Sequence, residues 1–219
     1  MMRLSRYAGN PNIGVFAAVN ESLALVACDS TPEFIQDLEQ ALGVKTFMTT
    51  VAGSFVVGSL VAMNSFGAVV SELSEQKELD EIRKLLPIAT LTDRTNAAGN
   101  NILVNDRGAL INPEVGAKAM KEIADILNVE VVKGTIAGCT TVGSVCSVTN
   151  KGCVCTVDAT DDDVKLLESI FKVEVKRTTV NHGCKYVGSG ILSNSKGALI
   201  GDETTPIEMG KIEDGLVLY

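Results

Sequence analysis

The 219-residue chain holds one histidine, His182, and it stands two residues before Cys184. A thiol within reach of an imidazole is the arrangement of nucleophilic catalysis, because the ring can take the thiol proton and hand it to a leaving group. On an extended segment, residues two apart project from one face, so this pair is expected to point the same way. The other cysteines are Cys28, Cys139, Cys146, Cys153 and Cys155, and no C-x-x-C pair offers zinc or dithiol chemistry. Cys153 and Cys155 share a face of an expected strand, where free thiols act as small hydrophobes. Asp161 to Asp163 could suggest a cation site. Directly after Thr160 they suit the positive end of a helix better. There is no phosphate-binding Gly-Lys-Ser/Thr loop and no paired-histidine zinc motif, so no cofactor or metal is expected.

The composition is that of a globular protein, 46% hydrophobic and 21% charged. Nineteen basic against 27 acidic residues leave a net charge of −8. Proteins that grip nucleic acid through its phosphates carry a basic excess. With 4% aromatics and no Trp, base-stacking platforms are disfavoured too. Any RNA contact should be local, or beside a protein partner. Thr46 to Ser71 is free of charge and long enough to suggest a membrane span, yet Gly53, Ser54, Gly58, Ser59, Asn64, Ser65 and Gly67 interrupt it. A strand–turn–strand reading fits better. Met1 to Asn10 lacks the apolar block of an export signal, so a soluble, cytoplasmic protein with reduced thiols is expected.

Two signals recur in constant order. Small-residue breaks end in Gly at Tyr7-Ala8-Gly9, Val51-Ala52-Gly53, Ala97-Ala98-Gly99, Ile136-Ala137-Gly138 and Asn181-His182-Gly183. Asn-led turns fall at Asn20, Asn64, Asn105, Asn150 and Asn194, four of them followed by Gly67, Gly108, Gly152 or Gly197. Asn and Gly tolerate the positive φ of tight hairpins. Two markers holding one period of about 44 residues mean an internal repeat.

Apolar runs flank each Asn turn, as in Ile102-Leu103-Val104 and Ala109-Leu110-Ile111, and predict a hairpin. A capped helix follows: Thr31-Pro32, Asn112-Pro113 and Thr205-Pro206 each place a capping side chain before Pro. Thr205 with Glu208 has capping-box spacing, and Thr160 leads the acidic start of another helix. Phe34, Leu38 and Leu42 mark one apolar helix face, and Val164, Leu167 and Phe171 another. An alternating strand such as Val173-Glu174-Val175 ends each unit. The prediction is a single α/β domain, 1–219, of five strand–strand–helix–strand units at about 10–53, 54–99, 100–138, 139–183 and 184–219. The last unit lacks its final strand, and residues 2–9 are expected to supply it and close the ring. Propeller blades of four strands lack such a helix, and helical solenoids lack the hairpins.

Five such units resemble the pentein, or α/β-propeller, architecture. Within it Val104-Asn105-Asp106-Arg107-Gly108-Ala109-Leu110, Gly134-Thr135-Ile136-Ala137-Gly138 and Asn194-Ser195-Lys196-Gly197-Ala198-Leu199 resemble the translation initiation factor 6 family, in register from Met2 to Tyr219 and at the compact length of its archaeal members. The resemblance implies a monomeric ribosome anti-association factor without catalysis or cofactor. Such a factor sits on the joining face of the large ribosomal subunit, against a ribosomal protein beside the sarcin–ricin loop, with local rRNA contact, and it blocks the small subunit. A role in large-subunit maturation is implied as well. Equivalent positions of a ring share a rim, so the implied contact residues are Asn10, Asn12, Ser59, Asn100, Asn101, Ser144, Val145, Lys185 and Tyr186, with Asn100 foremost. The same fold also hosts guanidine-modifying enzymes, which use a nucleophilic Cys and a His from a distant unit under long lid insertions. Here His182 and Cys184 straddle one break and the repeat lengths leave no lid, so catalysis is not expected.

Overall fold

The structure is a computed structural model that describes residues 1–219, with fifteen strands in five three-stranded sheets. In each sheet a short inner strand pairs antiparallel with a middle strand, and an outer strand runs parallel on its far side. The first four sheets comprise Ala17–Val19, Leu23–Ala27 and Lys45–Thr49; Val61–Met63, Ala68–Ser71 and Ile88–Leu91; Ile102–Val104, Gly108–Ile111 and Glu130–Lys133; and Cys146–Val148, Gly152–Thr156 and Glu174–Thr178. The fifth holds Ile191–Asn194 and Gly197–Gly201, and its outer strand is the chain's start, Met2–Ser5. Met2 lies opposite Ala198 and Ser5 opposite Gly201, so the ring closes as the repeat count required.

A parallel crossover needs a helix, and each unit supplies one: Pro32–Leu42, Gln76–Arg83, Ala117–Leu127, Asp161–Phe171 and Pro206–Leu216. Each packs on the sheet of the preceding unit, and the first four also touch their own outer strand. Ile123 and Leu127 of the third helix thus share a core with Val69 and Leu91 of the second sheet. Phe34 and Leu38 of the first helix cover the fifth sheet, in one core with Leu192 and Leu199. Middle strands are covered on both faces, hence their unbroken apolar runs such as Ala24-Leu25-Val26-Ala27. Opening the ring anywhere would strip one sheet of its helix.

The threonine caps form as expected: Thr31, Thr160 and Thr205 each accept the amide three residues on. Asn112 does not cap. The third helix starts five residues later behind Gly116, while the Asn112 amide donates to Asn101 Oδ1 at 2.8 Å.

Two repeat markers shift register. Ala8, Ala52, Ala137 and His182, each followed by Gly, take left-handed φ of 47 to 60° and turn the chain. Gly99 belongs to no such turn; it lies in a one-turn helix, Ala98–Asn101, and matches Gly14, Gly58, Gly143 and Gly188 instead. The third unit has lost its break, and the segment before Ala98 carries none of these residues. The fourth hairpin turn, likewise, is led by Thr149 and not Asn150: Thr149 Oγ1 accepts from the amides of Lys151 and Gly152, as Asn64 Oδ1 does from Phe66 and Gly67. The glycines of these turns are not in the positive-φ region. They are required by proximity, since a Cβ on Gly108 would meet the Ile170 carbonyl oxygen at 2.6 Å and one on Gly197 that of Ala41 at 2.1 Å.

Candidate functional site

The five inner strands surround a central channel with a cavity of about 140 Å³, and its two ends are built differently. At one end a one-turn helix precedes each inner strand, and the five helices meet glycine to backbone. A Cβ on Gly58 would lie 2.0 Å from the Gly14 carbonyl oxygen, on Gly99 1.9 Å from that of Gly58, on Gly143 2.0 Å from that of Gly99, on Gly188 2.0 Å from that of Gly143, and on Gly14 2.3 Å from that of Gly188. No side chain fits, so the rim can be this narrow only with glycine. The residue after each glycine lines the channel: Val15, Ser59, Asn100, Ser144 and Ser189.

Three expected contact residues, Ser59, Asn100 and Ser144, therefore do come together, at equivalent places and half-buried. Ser144 Oγ is engaged within its own turn, on Thr141 O at 2.6 Å, and Ser189 Oγ donates to Tyr186 O at 2.7 Å. The Asn100 side-chain amide makes no intramolecular hydrogen bond. Asn12 and Tyr186 form a second tier two residues ahead of their glycines, Tyr186 57% exposed. Asn10 caps its own turn, Oδ1 accepting from Asn12 N at 2.9 Å, and exposed Lys185 pairs with Asp158 at 2.8 Å. Two of the expected contacts are not on the surface. Asn101 is buried, its amide donating to Thr95 O and Ala97 O, and Val145 is buried with Cys146, Cys153 and Cys155 in the core at the fourth sheet. A single helical turn swings the residue after Asn100 or Ser144 inward. Sequence reasoning missed Ser189, Val15 and the exposed Phe55; the Gly-Ser pairs at Gly58, Gly143 and Gly188 were the available signal.

Carboxylates lock this rim from outside. Glu208, three residues past its helix cap, accepts from the Thr179 hydroxyl at 2.6 Å and from the amides of Thr205, Gly183 and His182. Burial works to raise its pKa, but those hydrogen bonds outweigh it and hold the carboxyl at about 2. Glu78 grips Ala52 N and Gly53 N in the same way, and Asp163 grips Ala137 N. The first unit places Phe34 there instead, under Tyr7, which stacks on Phe16 at 3.9 Å. His182 thus sits exposed on a left-handed turn, not on an extended segment, while Cys184 packs against the core of the fifth sheet. Cys146, Cys153 and Cys155 are free and buried, with burial pushing their thiol pKa values up.

The hairpin end is held by amides. Asn20 Nδ2 donates to Asn64 O, Asn64 to Asn105 O, Asn105 to Thr149 O, and Asn194 back to Asn20 O, at 2.8 to 3.2 Å. Glu21, Ser65, Asp106, Asn150 and Ser195 stand one residue on and bond one another across the opening. No group of three or more His, Cys, Asp or Glu side chains forms a metal cage, and no helix is long and apolar enough to cross a membrane.

The chain matches the eIF-6 family over residues 2–215. Translation initiation factor 6 of Methanosarcina mazei is 44% identical to it, covering 93% of both chains; that of Methanocaldococcus jannaschii is 40% identical over 97% of this chain and 96% of its own; that of Picrophilus torridus is 38% identical over 93% and 94%. A solved structure of DDAH from Pseudomonas aeruginosa, a mutant complexed with citrulline, aligns with a TM-score of 0.47 and 10% identity over 92% of this chain and 87% of that one, a likeness too loose to bear on chemistry. From residue 2 to residue 215 the chain belongs to the eIF-6 family, with a role in translation initiation.

Proposed function

We propose that this protein binds the joining face of the large ribosomal subunit as a monomer, through the glycine-packed rim, and keeps the small subunit off by its bulk, in initiation and in large-subunit maturation. The observation that carries the reading is the set of five equivalent positions around the channel mouth, with the Asn100 amide uncommitted and Asn12, Lys185 and Tyr186 in the segments that lead into the mouth at Gly14 and Gly188. An amide both donates and accepts, so it suits backbone of a ribosomal protein or an rRNA base edge. The net charge of −8 favours a basic protein as the main contact, with RNA touched locally. The proposed role involves no catalysis, a reading supported by the lone His182 lying exposed on its left-handed turn while the partly buried Cys184 packs against the core of the fifth sheet.

Sedimentation with separated archaeal subunits tests this. The protein should travel with the large subunit and deplete joined ribosomes. Asn100→Asp, which removes a donor and adds charge, should weaken that binding by about tenfold while the melting temperature holds. Migration with neither subunit would refute the reading, and undiminished binding by the variant would remove Asn100 from the contact.

A further inference from the structure

We propose a second docking site, on the outer strand of the first sheet, Lys45–Thr49, that takes an extended, lysine- or arginine-rich segment of a partner protein as an added strand. This strand has a neighbour on one side only. Lys45 N donates inward to Ser22 O at 3.0 Å, so the two-residue period turns Phe47 and Thr49 inward too and leaves the peptide groups of Thr46 and Met48 facing out. Open edges invite pairing, and proteins ordinarily guard them with charge. The outer strands of the third, fourth and fifth sheets carry Lys133, Lys176 and Arg3. Ile88–Leu91 of the second sheet has no charge, but it is half-buried or better along its whole length. Lys45–Thr49 lacks charge after its first residue and holds Met48 51% exposed. From Thr46 on it belongs to the charge-free stretch that runs to Ser71.

Beside this edge lies a groove of about 520 Å³, lined by Phe47, Met48 and Phe55 and faced by Glu75, Glu78 and Glu81 against one Lys77. The groove is bordered by the helix Gln76–Arg83 and its cap, whose residues Glu75, Lys77, Glu78 and Glu81 face the strand. Glu78 is spent on its turn, which leaves Glu75 and Glu81 to meet a cation; Glu81 is now paired with exposed Lys84. An alternating segment fits: main-chain bonds to Thr46 and Met48, apolar side chains over Phe47 and Phe55, basic ones toward the glutamates. A second copy of this chain fits worse, since pairing would bring two acidic grooves together.

The test needs no ribosome, so it stands apart from the anti-association reading. A labelled peptide of about ten residues, alternating Lys and Val, is titrated with the protein and followed by fluorescence anisotropy. It should bind at least about tenfold more tightly than a Glu–Val peptide, and lose about tenfold when alternate peptide nitrogens are methylated or when Met48→Lys guards the edge. Failure of the Lys–Val peptide to bind would overturn the proposal. So would binding indifferent to methylation, which would mark a charge contact without strand addition, whatever the effect of Met48→Lys. A dimer in sedimentation velocity that Met48→Lys abolishes would overturn it in favour of self-pairing.

Discussion

The two ends of the channel solve one problem, joining five units in a circle, by opposite means. At the short-helix end the joint is exclusion: backbone lies on backbone, and each glycine is there because any larger residue would strike a carbonyl oxygen. At the hairpin end the joint is attraction, an amide of one unit donating to the carbonyl of the next. All five units keep the glycine, whereas one of the five, at Thr149, does without the amide. The contrast is physical. A clash of about 2 Å has no partial solution in a closed ring, because moving one unit drives it into another. A missing hydrogen bond leaves a carbonyl poorly satisfied at a cost of about 1–3 kcal/mol, which a domain of this size survives.

Gly99→Ala should have the largest effect. Its Cβ would stand 1.9 Å from Gly58 O, and a loss above about 3 kcal/mol in urea unfolding is expected, with much of the protein insoluble. Gly138→Ala is the matched control: it meets nothing within 4 Å and suffers only its φ of +73°, so about 1 kcal/mol should go. Equal losses would mean that conformation rather than contact selects these glycines. At the hairpin end, Asn105→Ala removes two donated bonds, to Thr149 O and Phe171 O, and two accepted ones, from Arg107 N and Gly108 N, at a buried position. About 2–3 kcal/mol is expected. A loss as large as that of Gly99→Ala would erase the distinction between the two ends.

The carboxylate latches fall between these cases, because they bear on the short-helix end but act by attraction. Glu208 is lowered from 4.5 to about 2, so its contribution is fully present above the unfolded value and is lost as pH falls through the folded one. Glu208→Gln should cost about 2 kcal/mol at pH 7, and the deficit should shrink steadily between pH 4.5 and 2. A deficit independent of pH would show that shape rather than charge holds the turn at Gly183.

Much of this was legible in the sequence, for local reasons. Hairpins, threonine caps and the missing fifth strand follow from short-range chemistry repeated five times, so errors in one copy are corrected by the others. The exceptions are the units where a substitute does the same work. Thr149 makes the turn with a hydroxyl, and the adjacent Asn150 drew the reading one residue off. Ala98-Gly99 mimics a break in the unit that has lost its own. The rim suffered from that slip, because counting from the breaks instead of from Gly14, Gly58, Gly99, Gly143 and Gly188 included buried Asn101 and Val145 and passed over Ser189. The capping of Asn112-Pro113 failed differently. The motif is sound, but the Asn112 oxygen accepts from Glu114 N in a turn of its own and its amide donates to Asn101, while the helix begins only at Ala117.

The smallest effect expected is also of opposite sign. Thr149→Asn would restore the one absent amide. The existing Thr149 hydroxyl accepts from Lys151 N and Gly152 N, and an Asn Oδ1 can keep both, as it does at Asn194 toward Lys196 and Gly197. The new Nδ2 would face Asn194 O and Leu216 O, the places that Thr149 O and Phe171 O hold for Asn105 and that Asn20 O and Leu42 O hold for Asn194. The helix end is already at the distance this needs, since Gly152 abuts Gly215 as Gly108 abuts Ile170. A gain of about 1 kcal/mol is therefore expected, a rise of about 2–4 °C in melting temperature. A fall would mean that the fourth and fifth units are joined by Ser147 and Ser193, whose hydroxyls meet at 2.9 Å, and that the threonine marks a joint already closed by other means.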